Sequence, residues 1–222
     1  SIFIVAGQSN AIGLADPIRD ELARRLARKV TIVHVAEGGT PLVDADYVRP
    51  SWHPGRRGEM CDRLVAEARR ALDSARAAGE SPRVEAMFWM QGEQDTKTEN
   101  RGPEGTSLPP PPQPLAAESY GANLKALLAA VRRELARAEL PAIIADTPVG
   151  LPPEYATGRS RHAATPVVLA AQAAVALGDS RAALVRTAAY PRGPDGLHLT
   201  KSSATELAQA MARAWWERFA DA

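Results

Sequence analysis

The sequence predicts an α/β fold: a flavodoxin-like, three-layer α/β/α sandwich around a five-stranded parallel sheet with strand order 2-1-3-4-5. Two observations lead to this prediction. Five short apolar runs alternate with five segments of helical periodicity along the 222 residues. Most of those runs are continuously apolar, as expected for strands covered on both faces. Alternating strands and helices form a parallel sheet through right-handed crossovers. The length suits one domain, which we expect to span residues 1–222.

The strands are predicted from apolar runs that give way to polar or glycine-containing segments. They are IFIVA at 2–6, VTIVHVA at 30–36, VEAMFWM at 84–90, AIIADT at 142–147 and ALVRTAA at 183–189. Their mainly apolar composition places them in the buried centre of the fold.

Five helices are predicted from apolar spacing and capping residues. The first begins at Asp16-Pro17, and the others occupy 59–79, 119–138, 165–178 and 202–219. Proline at the first helical position favours the first start, and Gly79 is a typical C-terminal cap for the second helix. The Trp215-Trp216 pair in the last helix is expected to pack against the sheet and not to bind sugar.

The composition excludes several classes of partner. The net charge of +1, from 27 basic and 26 acidic residues, argues against a broad binding surface for nucleic acid or membrane. No apolar run approaches the roughly 20 residues of a transmembrane helix, and no charged-then-apolar leader is present. The single Cys61 excludes an internal disulfide and a multi-cysteine metal site. The sequence therefore predicts a soluble protein without metal or organic cofactor. Its compartment, cytoplasmic or secreted after leader removal, and its oligomeric state are left open.

Four polar, glycine-containing segments follow strands of the predicted sheet. They are GQSN at 7–10, EGGT at 37–40, QGEQD at 91–95 and DGLH at 195–198. Because open α/β sheets bind ligands at the carboxyl ends of their strands, we expect these segments to converge on one edge. Each alone has an ordinary explanation as a helix cap, a flexible strand exit or a turn. Their convergence favours a chemical role.

The residue types fit acyl transfer by an activated serine. A serine hydroxyl is a weak nucleophile unless a base such as histidine takes its proton. The imidazole in turn needs an acceptor on its other nitrogen to fix its tautomer. Ser9 would be the nucleophile, with His198 as base and Asp195, three residues earlier, as acceptor. The N–H groups of Ser9 and Gly39 and the side-chain amide of Gln91 would form an oxyanion hole. Glycine at position 39 would permit close approach of the backbone to the substrate.

These motifs, taken together, resemble the SGNH (GDSL-like) hydrolase superfamily. The matching segments are GQSN, EGGTPL, WMQGEQD and DGLH, in the right order over residues 2–200. They look most like the sialate O-acetylesterase and acetylxylan esterase branch, in which GQSN replaces GDS and H-Q-G-E-x-D replaces G-x-N-D. The resemblance implies an esterase with Ser9 as nucleophile and His198 as base. It also implies that the oxyanion donors are the N–H groups of Ser9 and Gly39 and the amide of Gln91.

One position departs from the branch, and one assignment stays open. Met90 stands where the branch usually has histidine before the glutamine. Two carboxylates, Asp195 and Glu93, are candidates for the acid of the triad. The D-x-x-H spacing favours Asp195, because one short loop would carry both groups. Glu93 and Asp95 are then expected to hold the turn after the third strand through backbone N–H groups.

The predicted function is hydrolysis of a small acyl ester through an acyl-enzyme on Ser9. Acetyl is the favoured acyl group, and the favoured partner is an acetylated sugar or a related hydroxylated small molecule. Two alternatives stay open: an acyltransferase with the same triad, and a carbohydrate-binding protein with a dead site. Of the other histidines, His34 is expected in the core or beside the site, and His162 on the surface.

Three arginines follow the second predicted strand on the side of the site. Arg49, Arg56 and Arg57 lie in the segment VRPSWHPGRRGE. They are expected either to present positive charge to an acidic substrate or to pair with Glu59 and Asp62 in a solvated loop.

Overall fold

The computed structural model describes residues 1–97, 116–147 and 162–220. In chain order the elements are β1 (Ile2–Gly7), a short 3₁₀ turn (Ser9–Ala11), α1 (Ala15–Leu26), β2 (Thr31–Ala36), α2 (Met60–Ala77), β3 (Val84–Met90), α3 (Ala116–Glu134), β4 (Ala142–Ala145), α4 (Thr165–Gly178), β5 (Ala182–Val185) and α5 (Lys201–Phe219). The helices among these residues are too short or too polar to cross a membrane.

The strands form one parallel sheet with the order β2-β1-β3-β4-β5. This confirms the predicted fold class and strand order. β1, which lies between β2 and β3, is buried along its whole length. Its last residue, Gly7, is in register with Ala36 of β2 and with Met90 of β3. The three strands therefore end level, and the segments that follow them emerge side by side.

Alternating side chains of β1 face the two helical layers. Ile2 and Ile4 belong to a buried cluster that includes residues of α2, α3 and α4. Phe3 and Val5 belong to a second cluster formed with α1 and α5. This alternation follows from the two-residue period of a strand. Trp215 of α5 packs edge-on against Phe3, with ring centroids 4.8 Å apart, as expected from the sequence.

Of the predicted elements that end earlier in the structure than the sequence pattern indicates, β5 and α3 end for clear local reasons. β5 ends at Val185 because Thr187 directs its N–H and its hydroxyl to the carboxylate of Asp146, at 2.7 and 2.8 Å. α3 ends at Glu134, and Ala136 then adopts a left-handed conformation with φ of 50°. Such a residue terminates a helix. Neither change moves the edge of the sheet where the polar segments lie.

Candidate active site

The turn after β1 packs closely against the end of β3. Gln8 N–H donates to the Met90 carbonyl at 3.0 Å. A side chain at Gly7 would place its Cβ only 1.8 Å from the same oxygen, so only glycine fits there. The chain then enters the 3₁₀ turn with Ser9 at its first position. The strand therefore delivers Ser9 to the carboxyl edge of the sheet, as predicted.

Ser9 lies at one end of a hydrogen-bonded line of three side chains. His198 Nε2 is 2.9 Å from Ser9 Oγ, and His198 Nδ1 is 2.5 Å from Asp195 Oδ2. The ring therefore has the serine on one nitrogen and a carboxylate on the other. In this arrangement the carboxylate fixes the proton on Nδ1 and leaves Nε2 free to accept.

The D-x-x-H spacing has a local structural reason. Asp195 Oδ1 accepts the backbone N–H groups of Leu197 and His198, each at 3.0 Å. Its other oxygen meets the ring of His198, so one carboxylate holds both the turn and the imidazole. Burial alone would raise the pKa of Asp195, but these hydrogen bonds together outweigh it and hold the pKa below its ordinary value. Asp195 is therefore favoured as an anion.

Glu93, the other candidate acid, lies elsewhere. It is buried, with 2% exposure, and its Oε1 accepts from Asn10 Nδ2 at 2.6 Å. Within the described residues no hydrogen bond joins it to His198. Burial raises the pKa of Glu93, and the hydrogen bond from Asn10 opposes that rise. The structure thus brings Asp195 to the ring of His198, and Glu93 to Asn10.

The sequence analysis expected the Gln91 amide at the site, but in the structure this side chain points elsewhere. Its side chain is fully buried, and its Nε2 donates to the Thr40 carbonyl at 3.0 Å and to Asp95 Oδ2 at 2.5 Å. Both amide hydrogens therefore have partners that tie the end of β3 to the segment after β2. Gln94, three residues later, lines the cavity beside Ser9 instead. Both glutamines lie in QGEQD, and the sequence offers no signal that separates them.

The turn after β3 is held by a residue that the sequence analysis did not assign. Gln8 Oε1 accepts the N–H groups of Gly92 and Gln94 at 3.3 and 3.2 Å. Asp95 reaches across to the Leu42 N–H, with its two oxygens at 3.0 and 3.1 Å. Burial raises the pKa of Asp95 to about 7, against the opposing hydrogen bonds from Gln91 and Leu42.

A cavity of about 510 Å³ opens beside Ser9 and His198. Gly39 lines it with a φ of +75°. A Cβ at this position would have its nearest contacts at 3.8 Å or more, which is ordinary packing distance. The left-handed backbone is therefore one reason for glycine here, and the expected close approach of the backbone to a substrate stays a prediction.

The rest of the cavity wall combines mainly apolar surface with several charged side chains. Besides the residues above, it is formed by Gln8, Gly38, Tyr47, Val48, Arg49, Glu93, Lys97, His162 and Leu197. Burial lowers the pKa of Lys97. His162 is in the cavity wall and not on the open surface, and burial lowers its pKa to about 4. Its Nδ1 is 2.7 Å from Thr96 Oγ1.

The three arginines after β2 separate in the structure. Arg49 lines the cavity, with Glu37 at 4.0 Å. Arg56 pairs with Asp46 at 2.5 Å and Glu59 at 3.2 Å, and Arg57 pairs with Asp62 at 3.3 Å. Of the three, Arg49 is therefore the one placed to meet a bound molecule.

A second cavity, of about 530 Å³, lies on the other side of the Ser9–His198 pair. Its wall includes Asp16, His34 and Lys201. His34 is exposed and lies beside the site, not in the core, and partial desolvation of its ring lowers its pKa. Ser9 and His198 therefore line both cavities. Within the described part of the chain, no three His, Cys, Asp or Glu side chains form a group that could hold a metal ion.

Several solved structures share this fold. A protein from Arabidopsis thaliana matches with a TM-score of 0.71 and 21% identity, over 98% of each chain. A carbohydrate acetylesterase from Xanthomonas citri matches with a TM-score of 0.66 and 12% identity, over 100% of this chain and 57% of that one. A carbohydrate acetylesterase from Sinorhizobium meliloti matches with a TM-score of 0.61 and 12% identity, over 98% and 99% of the two chains. A search of curated proteins found no match.

The sheet order, the polar carboxyl edge and the comparisons define the class of protein first: a carboxylic ester hydrolase with an SGNH-like fold. Within that class, the chain belongs to the carbohydrate esterase family described as sialic acid-specific acetylesterase, whose model matches residues 11–217. This confirms the resemblance drawn from the four motifs. The matched range begins just after Ser9, so the assignment of the serine depends on the geometry of the site.

Proposed function

We propose that the protein is a serine esterase that removes a small acyl group, with acetyl favoured, from a hydroxyl of a sugar. The observation that carries this proposal is the continuous line from Ser9 Oγ through His198 to Asp195 at the wall of a cavity. A nucleophile, a base within hydrogen-bond reach and a group that orients the base are the parts that acyl transfer requires.

The reaction would proceed in two steps. Ser9 Oγ attacks the ester carbonyl carbon while His198 Nε2 takes the serine proton. The same proton then passes to the departing sugar oxygen, which leaves the acyl group on Ser9. Water next attacks this acyl-enzyme and gives a proton to His198, which returns it to Ser9 Oγ as the carboxylic acid departs. Asp195 stabilises the imidazolium in both steps.

The negative oxygen formed in each step needs donors. The backbone N–H groups of Ser9 and Gly39 remain our candidates, since both residues line the cavity. The Gln91 amide is occupied by Thr40 and Asp95, so we assign the side-chain donor to Gln94. One Gln94 N–H already donates to Tyr47 at 2.9 Å, and an amide NH₂ group carries a second hydrogen. A donor of this kind contributes roughly 3–4 kcal/mol to the transition state.

The favoured substrate is an acetylated sugar that bears a carboxylate. Arg49 and Lys97 bring two positive charges to the cavity wall, and the family is described as sialic acid-specific. We expect Arg49→Ala and Lys97→Ala to raise KM for carboxylated acetyl sugars and to leave neutral acetyl sugars nearly unchanged. Arg57→Ala is the matched control, because Arg57 pairs with Asp62 away from the cavity. Equal kcat/KM for both substrate types in all three variants would exclude recognition of a carboxylate.

Turnover of p-nitrophenyl acetate by the purified protein and by Ser9→Ala tests the central proposal. The wild type is expected to be active, and Ser9→Ala to lose at least about 10³-fold in rate with an unchanged circular dichroism spectrum. Retained turnover in Ser9→Ala would overturn the assignment of the nucleophile. An inactive wild type that still binds acetylated sugars would favour a carbohydrate-binding protein. Acyl transfer to added alcohols in preference to water would favour an acyltransferase.

A further inference from the structure

A buried amide joins the turn of Ser9 to the loop of His198. Asn10, next to Ser9, is only 5% exposed. Its Nδ2 donates to the Leu197 carbonyl at 3.3 Å, and its Oδ1 accepts the Leu199 N–H at 2.9 Å. These two backbone groups flank His198. The amide of Asn10 therefore holds the chain on both sides of the histidine, much as a neighbouring strand would.

The orientation of this amide is set by Glu93. Asn10 Nδ2 donates its other hydrogen to Glu93 Oε1 at 2.6 Å. A carboxyl oxygen without a proton only accepts hydrogen bonds, so Glu93 Oε1 faces the NH₂ end of the amide and not the oxygen. A flipped amide would place oxygen against oxygen at Glu93, and NH₂ against the N–H of Leu199. Glu93 thus selects the orientation in which Asn10 can hold both backbone groups.

Other hydrogen bonds of the loop join residues within it. Asp195 accepts the N–H groups of Leu197 and His198, and the Gly193 N–H donates to the His198 carbonyl at 2.8 Å. These bonds shape the loop but do not set its distance from β1. Asn10 connects the backbone of the loop to the turn after β1, beside the contact of His198 with Ser9, since Asn10 lies on the same 3₁₀ turn as Ser9.

We propose that Glu93, acting through Asn10, is a positioning residue that sets the place of His198 relative to Ser9. This inference rests on the proposed function, because it assumes that His198 serves Ser9 as base. It gives the second carboxylate of the motifs a role other than that of the triad acid. A displacement of about 1 Å between reacting groups can cost roughly 10²-fold in rate, so a small shift of the loop is enough for a measurable effect.

The test is a double-mutant cycle on kcat and KM with p-nitrophenyl acetate. We expect Asn10→Ala and Glu93→Ala each to lower kcat by about 30-fold to 100-fold, with little change in KM. The double variant should be no worse than Asn10→Ala alone, because Glu93 acts only through Asn10. Glu93→Gln keeps an oxygen that can accept from Asn10, so it should retain kcat within about threefold of the wild type.

A variant that loses stability alone is the necessary control. Arg132→Ala removes bonds to the Leu140 carbonyl and to Asp179 at the opposite edge of the sheet, and should lower the melting temperature without lowering kcat. If Glu93→Ala does not fold, Glu93→Gln and Asn10→Ser carry the comparison. Three outcomes would each overturn the proposal. The losses of the single variants could multiply in the double variant, or the loss could appear mainly in KM. The third is a kcat of Glu93→Gln as low as that of Glu93→Ala. Full activity of Asn10→Ala with an inactive Ser9→Ala would refute this inference alone, whereas an active Ser9→Ala would refute the proposed function.

Discussion

Replacement of Asp195 by asparagine removes a charge and preserves the shape of the side chain. In the structure the two oxygens of Asp195 have separate tasks. Oδ2 lies 2.5 Å from His198 Nδ1, and Oδ1 accepts the N–H groups of Leu197 and His198 at 3.0 Å each. Asparagine has one oxygen and one NH₂ group. The variant can therefore serve either the backbone turn or the ring, but not both.

The orientation of the asparagine amide decides which nitrogen of His198 carries the proton. If the asparagine oxygen stays with the backbone, its NH₂ group faces Nδ1, and the ring proton moves to Nε2. That nitrogen is 2.9 Å from Ser9 Oγ and could no longer take the serine proton. If the amide flips instead, two N–H donors lose their acceptor, at about 1–3 kcal/mol each, so the flip costs roughly 2–6 kcal/mol.

This cost converts into an expected loss of rate. With about 1.4 kcal/mol for each factor of ten, the productive flipped form would be depleted roughly 30-fold to 10⁴-fold. Loss of the charge that stabilises the imidazolium adds to this depletion. We therefore expect kcat of Asp195→Asn to fall by about 10³-fold or more at acidic, neutral and alkaline pH.

The assay is hydrolysis of p-nitrophenyl acetate, with melting temperature measured on the same preparations. Glu93→Gln is the matched control, since it makes the same change at the other candidate acid while keeping an acceptor for Asn10. The reasoning is refuted if Asp195→Asn stays within about tenfold of the wild type while Glu93→Gln loses activity but not stability. Glu93 would then be the acid that supports His198.

Three further predictions follow from the same geometry. Gln94→Ala should lower kcat by about 10²-fold to 10³-fold with little change in KM. Gln91→Ala should instead lower mainly the melting temperature, because the Gln91 side chain bonds Thr40 and Asp95. The reverse pattern would restore Gln91 as the oxyanion donor. The pKa of Asp95 is raised from 3.8 to about 7 in the folded state, so the folded state binds this proton more tightly than the unfolded state. The free energy of unfolding should therefore decrease as pH rises across this range, by a total on the order of 4 kcal/mol. Urea titrations of Asp95→Asn should show a flatter pH dependence, and an unchanged slope would contradict the assignment. Gly39→Ala should lower the free energy of unfolding by about 1 kcal/mol, because φ is +75° while a Cβ meets no close contact; no loss would show that the loop relaxes.

The sequence was sufficient to predict the sheet and the approach of Ser9 to His198, and its D-x-x-H spacing favoured Asp195 over Glu93 as the partner of the ring. Apolar runs report burial directly, and parallel strands in the order found place their carboxyl ends on one edge. The pairing of Asp195 with His198 is local, since one turn of chain carries both residues. Features of this kind depend on period and spacing, which a single sequence contains.

The roles of Gln91 and Gln94 depend instead on which way each side chain turns where β3 ends. Gln91 still follows the direction of the strand and is buried between Thr40 and Asp95. Gln94 lies beyond the turn at Gly92, where a Cβ would come within 2.0 Å of Thr147 Oγ1. That turn redirects the chain towards the cavity. Its geometry comes from contacts with Gln8 and Thr147, which are distant in sequence, so the residue letters of QGEQD do not reveal it.

The opening motif acts as one structural unit. Gln8, Ser9 and Asn10 are consecutive, and each directs its side chain to a different part of the fold. Gln8 accepts two N–H groups of the turn after β3, Ser9 meets His198, and Asn10 holds the residues that flank that histidine. A helix cap would need only one of these three side chains and would place no requirement on the contacts of the other two. Three consecutive polar side chains, bonded to two distant segments, instead fix the positions of Ser9, His198 and the turn carrying Gln94 relative to β1.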